Sequence, residues 1–216
     1  MNARIPALNC VAISQSTGRC GLLKKGCRGT WMRRHSGIRT SGTAVMLLAL
    51  AACAGGGYRP VADTPVRIGP AYTIRGATYV PAAAPDYDAV GYASWYGSES
   101  GDRTANGERF RPDWITAAHT TLPLPTYVEV TALDTGRRII VRVNDRGPFA
   151  GRGRIIDLSR GAAEALGLRA QGHAPVRVRR VEPSEKDRKR LREGKAAAAL
   201  APVPADELQR LRARLR

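Results

Sequence analysis

No Asp or Glu occurs in the first 52 residues of this 216-residue chain, although eight of its 35 Lys and Arg do. A stretch so one-sided in charge makes no internal ion pairs and reads as an address rather than as a domain. Cysteine is missing from all of residues 90–181. The four cysteines are Cys10, Cys20, Cys27 and Cys53, so neither disulfide nor thiol chemistry belongs to the central region. The three histidines, His35, His119 and His173, lack ligand spacing, and the three leader cysteines lack the paired spacing of a zinc site. No metal and no cofactor are expected. There is no aromatic–basic interleaving, zinc-finger spacing or recognition-helix pattern, so the formal charge of +17 does not indicate a nucleic-acid partner. No heptad pattern or internal repeat is found. Nor is any apolar run long enough to hold a permanent membrane helix.

What the leader does contain is ordered like a secretion signal. A basic region, Arg33-Arg34-His35 to Arg39, precedes the apolar run Ala44 to Ala52, which ends in small residues. Leu50-Ala51-Ala52-Cys53 resembles the bacterial lipoprotein lipobox, in which the cysteine thiol receives diacylglycerol and becomes the mature N-terminus. Acyl chains on Cys53 would anchor the protein stably to a membrane. Ala54 at the following position implies the periplasmic face of the outer membrane under enteric-type sorting, the inner membrane being the alternative. A start at Met32 would remove residues 1–31, and with them three of the cysteines.

Beyond the leader the formal charge falls to +9, and the chain divides by composition. Residues 53–89 are rich in Gly, Pro and Ala and read as a flexible tether, reaching ~120 Å when extended. Residues 182–216 hold ten Lys or Arg against six acids. Leu208, Leu211 and Leu215 recur there at helical spacing, so this tail reads as disordered or as a marginal basic helix, dispensable for the domain before it. The compact domain is therefore placed at residues 90–181. Within it Gly91 to Gly97, Thr116 to His119, Tyr127 to Ala132, Arg137 to Val143, Ile155 to Leu158 and Pro175 to Val181 read as strands. Asp134-Thr135-Gly136 marks a hairpin, and Ser159 caps a short helix that Gly167 ends. Six strands with one or two short helices in about ninety residues indicate a mainly β fold closed into a small barrel.

The most informative segment is Val143-Asn144-Asp145-Arg146-Gly147-Pro148-Phe149, where a β-branched strand stops and leaves Asp145 at a change of chain direction. Burial would raise the pKa of such a carboxyl and make it an acid, whereas Arg146 would hold it ionised. A turn-capping aspartate paired to arginine is equally compatible with the heptapeptide.

Tyr72-Thr73-Ile74-Arg75-Gly76, Gly91-Tyr92-Ala93-Ser94-Trp95-Tyr96-Gly97, Thr104-Ala105-Asn106-Gly107-Glu108, Thr116-Ala117-Ala118-His119, Leu122-Pro123-Leu124, Asn144 to Phe149 and Ile156-Asp157-Leu158-Ser159 together resemble the rare lipoprotein A (RlpA) family. The resemblance covers roughly residues 70–181 and agrees with the lipobox. It implies a six-stranded double-psi β-barrel related to those of expansins. The implied activity is cleavage of peptidoglycan glycan strands as a lytic transglycosylase, the alternative being a non-catalytic glycan-binding or wall-loosening lipoprotein. Family members often add a C-terminal SPOR domain, for which the 35 residues after Val181 are too few.

The same resemblance makes Asp145 the catalytic acid/base, with Glu108 and His119 as the other active-site residues. Read from the residues alone, Glu108 is a loop charge and His119 a satisfied barrel histidine. Substrate binding falls to Trp95, Tyr96, Asn106 and Arg146. Alternation sends Trp95 and Tyr96 to opposite faces, one to a sugar and one to the core. Asp157 is expected to bond Arg146 or loop amides. The partners expected are peptidoglycan glycan strands and, through Cys53, a membrane, with the protein a monomer.

Overall fold

The computed structural model describes residues 57–151 and 153–215, so the leader, the lipobox and Cys53 lie outside the described residues. Tyr72–Ile74 (β1) and Ala77–Tyr79 (β2) pair antiparallel around Arg75-Gly76, both at positive φ (51° and 80°), which is the geometry a tight two-residue hairpin needs. Six strands then close a barrel: Asp88–Tyr96 (β3), Thr116–Ala118 (β4), Thr126–Ala132 (β5), Arg138–Asp145 (β6), Arg154–Ser159 (β7) and His173–Arg180 (β8). Their order around the barrel is β3-β7-β4-β6-β5-β8. The pairs β3/β7 and β4/β6 are parallel and the rest antiparallel. This is the barrel that the sequence predicts. Closure leaves no free sheet edge, and the interior is filled by Val128, Val130, Val141, Val143, Ile156, Leu158, Val176 and Val178.

Local signals act as the sequence indicates. The Ser159 hydroxyl accepts from the Ala162 N–H at the start of Arg160–Leu166 (α1), and Gly167 ends the helix at φ 83°. Gly136 in the β5–β6 turn has φ 74°, and a Cβ there would lie 2.9 Å from the Val203 carbonyl oxygen. Glycine is therefore required twice over, by the turn and by the tail that crosses it.

That crossing corrects one expectation. The tail is neither disordered nor marginal: it forms Glu185–Arg192 (α2) and Ala205–Ala213 (α3), which raises the helix count to three. Leu191 is buried in the barrel's own core cluster, and Val203, Leu208 and Leu211 pack with Leu133 in a second one. An isolated helix of this length is unstable in water, but here the barrel supplies the apolar surface it lacks. All six acids of the tail are engaged close by. Glu182 bonds Arg180 and Arg188, Glu185 bonds Arg192, Glu193 bonds Lys195, Asp206 bonds Arg210, Glu207 bonds Arg177, and Asp187 bonds Ser184 and the Ala198 amide.

A second correction concerns the tether. Residues 57–87 lie along the barrel instead of leading away from it. The Arg59 N–H donates to the Gly107 carbonyl (2.7 Å), Arg67 and Leu124 exchange both backbone bonds (2.8 Å each), and the Ala82 N–H donates to the Thr121 carbonyl. Composition rich in Gly and Pro signals a lack of regular structure, and a segment can lack regular structure while its backbone groups are still bonded to another segment. The domain is accordingly larger at both ends than residues 90–181.

Leu191→Ala should then cost about 2–5 kcal/mol, the usual range for emptying a buried leucine site. A urea titration reads this as a lower midpoint at unchanged slope. A midpoint equal to that of the parent protein would mean that the tail does not contribute to the core.

Candidate functional site

Asp145 is the last residue of β6, and its backbone carbonyl accepts from the His119 N–H at 3.0 Å. One carboxylate oxygen, Oδ1, accepts from the backbone N–H groups of Ala105 and Arg146, each at 2.8 Å. Oδ2 makes no hydrogen bond among the described residues. Burial pushes the Asp145 pKa up. The two amide bonds and the Arg146 charge oppose that shift without reversing it. The Arg146 guanidinium is in fact directed at carbonyls, those of Leu122 (2.6 Å), His119 (3.2 Å) and Ile68 (3.1 Å). Of the two influences open in the sequence, burial outweighs the Arg146 charge.

Glu108 is 1% exposed and surrounded by donors. Arg142 grips it through two nitrogens (2.7 and 2.9 Å), and Asn106 and Asn144 each donate to it at 2.9 Å. Four bonds saturate the carboxylate, which removes it from contact with a substrate. Its two amide partners adjoin Ala105 and Asp145, so Glu108 positions the loop and the strand end that hold the acid.

His119 is likewise buried, at 2% exposure. Its Nδ1 accepts from the N–H groups of Thr121 and Leu122 (3.1 Å each), so Nε2 carries the proton and donates to the Tyr87 hydroxyl at 2.9 Å. Burial, and secondarily the Arg146 charge, depress its pKa to about 4. A neutral, fully bonded imidazole fixes the 119–122 loop whose carbonyls hold Arg146.

The cleft beside Asp145 has two lobes that share Arg146. One, of about 290 Å³, is lined by Tyr96, Ser100, Ala118, Gly147, Phe149 and Asp157, and the other, of about 230 Å³, by residues including Tyr72, Ala105, Asn106 and Leu124. Three of the four residues expected to bind substrate line these lobes, and Trp95 does not. Its Nε1 donates to the Arg169 carbonyl, the Arg169 guanidinium lies 5.9 Å from its ring, and it packs against the core. The Asn106 amide is committed to Glu108 and Arg59. Asp157 bonds Arg154 and Ser94 and not Arg146. Sequence reasoning missed Tyr79 and Phe149, which cluster with Tyr72 at 5.3–6.0 Å between ring centroids, above the strand end. The only signal for them is that Tyr72 and Tyr79 are hairpin partners; nothing in the sequence places that hairpin over the cleft.

The closed barrel thus carries a half-buried carboxyl, Asp145, at a strand end, with the buried Glu108 locked to Arg142 nearby. Residues 88–178 match the pattern of the lytic transglycolase family. The chain is 54% identical over 114 residues to the endolytic peptidoglycan transglycosylase RlpA of Pseudomonas aeruginosa, covering 52% of this chain and 33% of that protein. It is 46% identical over 116 residues to the protein of the same description from Rickettsia felis, covering 52% of this chain and 50% of that protein. The match thus spans a third to a half of these relatives' length. Among solved structures it is similar to the Streptomyces papain inhibitor, with 24% identity and a TM-score of 0.37 over 44% of this chain and 96% of that one. A likeness at that score decides nothing further.

The buried His119 has a consequence for stability. Its folded pKa lies below the ordinary 6.5, so between pH 6.5 and about 4 the unfolded chain takes up a proton that the fold refuses. Stability present above pH 6.5 should be lost across that window, by about 3 kcal/mol in all from this group. Asp145, with its raised pKa, works in the opposite sense. Urea midpoints measured from pH 7 to 4 should fall more steeply for the parent protein than for His119→Gln.

Proposed function

We propose that this chain is a lipid-anchored, periplasmic lytic transglycosylase acting on the glycan strands of peptidoglycan. The single observation that carries the reading is Asp145: a carboxyl with a raised pKa, one oxygen fixed by two amides and the other unbonded, adjacent in sequence to Arg146, which lines both cleft lobes. Such a group is suited to protonate the oxygen between N-acetylmuramic acid and N-acetylglucosamine. The resulting carboxylate then takes the proton from the muramyl C6 hydroxyl as that oxygen attacks C1. The product is a 1,6-anhydro end, and no water is consumed. Glycoside hydrolases use a second carboxylate as nucleophile or to activate water. Here Glu108 is saturated by Arg142, Asn106 and Asn144, and Asp157 is bound by Arg154 and Ser94, which supports the one-carboxylate route. The names borne by the relatives agree with it.

Purified sacculi digested with the soluble domain and analysed by mass spectrometry should yield 1,6-anhydro-muramyl ends that vanish with Asp145→Asn. Reducing ends would instead indicate a hydrolase, and sacculus binding without soluble products a wall-binding lipoprotein. Because the first step needs protonated Asp145, kcat/KM should fall as pH rises through its raised pKa, at a higher pH than for an ordinary carboxylate.

The lipobox supports anchoring through Cys53, and Ala54 supports the outer membrane. Since the Arg59 backbone is already bonded to the barrel, only five residues, or six Cα-to-Cα steps, separate the anchor from the domain. Their reach is ~20 Å rather than the ~120 Å of a free tether. The barrel therefore works close to the membrane surface. Cys53→Ser should release the protein to the soluble periplasmic fraction or leave it unprocessed; unchanged acylation and fractionation would refute the anchor.

A further inference from the structure

A buried hydroxyl nearly always has a hydrogen-bond partner, because an unpaired one forfeits its bonds to water and gains nothing in return. Tyr96 departs from this at the wall of the cleft. Its ring is stacked on Phe110, with centroids 4.9 Å apart and planes at 18°, which takes up a face that a sugar would need for stacking. Its hydroxyl is buried and has no hydrogen-bond partner among the described residues. The same side chain lines the 290 Å³ lobe with Ala118, Gly147 and Asp157. In the barrel Ala118 is flanked by the two acids, with Asp145 as its partner on β6 and Asp157 on β7. Both carboxylates act on the phenol. After burial, their charge is what holds its proton well above the ordinary phenol range, so the group remains a donor at every physiological pH. Thr116, whose own buried hydroxyl is likewise unpaired, is the neighbour that opposes that rise.

We propose that the Tyr96 hydroxyl is a catalytic hydrogen-bond donor, reaching the glycan oxygen that exchanges a proton with Asp145. The assignment rests on the reading of this chain as a lytic transglycosylase. As the C1–O bond breaks, its electron pair passes to the leaving oxygen, and the Asp145 proton moves onto that oxygen. The Tyr96 O–H bonds the same oxygen while it carries negative charge, and Tyr96 keeps its own proton throughout. A donor that is unpaired at rest gives up no bond when it engages the transition state. Its contribution therefore falls on turnover and not on ground-state binding.

The test is Tyr96→Phe, which removes one oxygen and leaves the stacked ring. On purified sacculi, the parent protein and Asp145→Asn provide the active and inactive references. Tyr96→Phe should lower kcat about 100-fold, the scale of losing one such donor, with KM unchanged and a melting temperature no lower than that of the parent. Turnover equal to the parent's would overturn the assignment. So would a lower melting temperature in both Tyr96→Phe and Thr116→Val, because the two hydroxyls would then be holding each other. If the parent protein releases no anhydro ends, it is the transglycosylase reading that fails, and the role of Tyr96 falls with it.

Discussion

Everything near the cleft depends on how Arg142 is satisfied. This side chain is 1% exposed, in the middle of β6, and a guanidinium withdrawn from water to that extent needs a partner for every donor. Two of its nitrogens bond Glu108, Nη2 also donates to the Ala62 carbonyl, and Nε faces Asp63 at 3.3 Å. Asp63 in turn accepts from the Tyr127 hydroxyl and from Arg192 on α2. One buried cation thus fixes the register of the N-terminal segment, the loop carrying Glu108 and the tail. Removing either member of such a pair strands the other charge in the interior, which is far more damaging than the pair is stabilising.

The acid is placed by this network without belonging to it. Glu108 holds Asn106 and Asn144, and the residues next to them supply the Ala105 N–H and the Asp145 carboxyl. A shift of the loop would withdraw one of the two amides that restrain Oδ1. On the other side His119, neutral and fully bonded, orients the carbonyls that hold Arg146 between the two lobes. Among the described residues, the polar atoms left unpaired in this region are Asp145 Oδ2, Asn144 Oδ1 and the buried hydroxyls of Tyr96 and Thr116. Rigid surroundings of this kind restrict a reacting group to one geometry.

The segments flanking the barrel change its surface more than its topology. Family likeness covers residues 88–178, whereas the residues that cover Tyr127 come from outside it: Asp63 bonds its hydroxyl, and the Arg188 guanidinium lies 5.4 Å from its ring centroid. The tail acids are all used by neighbouring cations, a hydroxyl and an amide.

The sequence by itself determined the strands, the cap at Ser159, the turn glycines and the position of Asp145 at a strand end, because each is a local matter of alternation, capping or allowed φ. The likeness of spaced motifs determined the barrel. Only the tertiary structure decided what the ionisable groups do. Whether Glu108 and His119 react or position depends on burial and on the count of donors around them, contributed by residues up to 36 positions away. The same limit hid the docked tail and the packed N-terminal segment. Helix propensity and composition describe a chain in water, whereas Leu191 and Arg59 are held by surfaces that exist only once the barrel has closed.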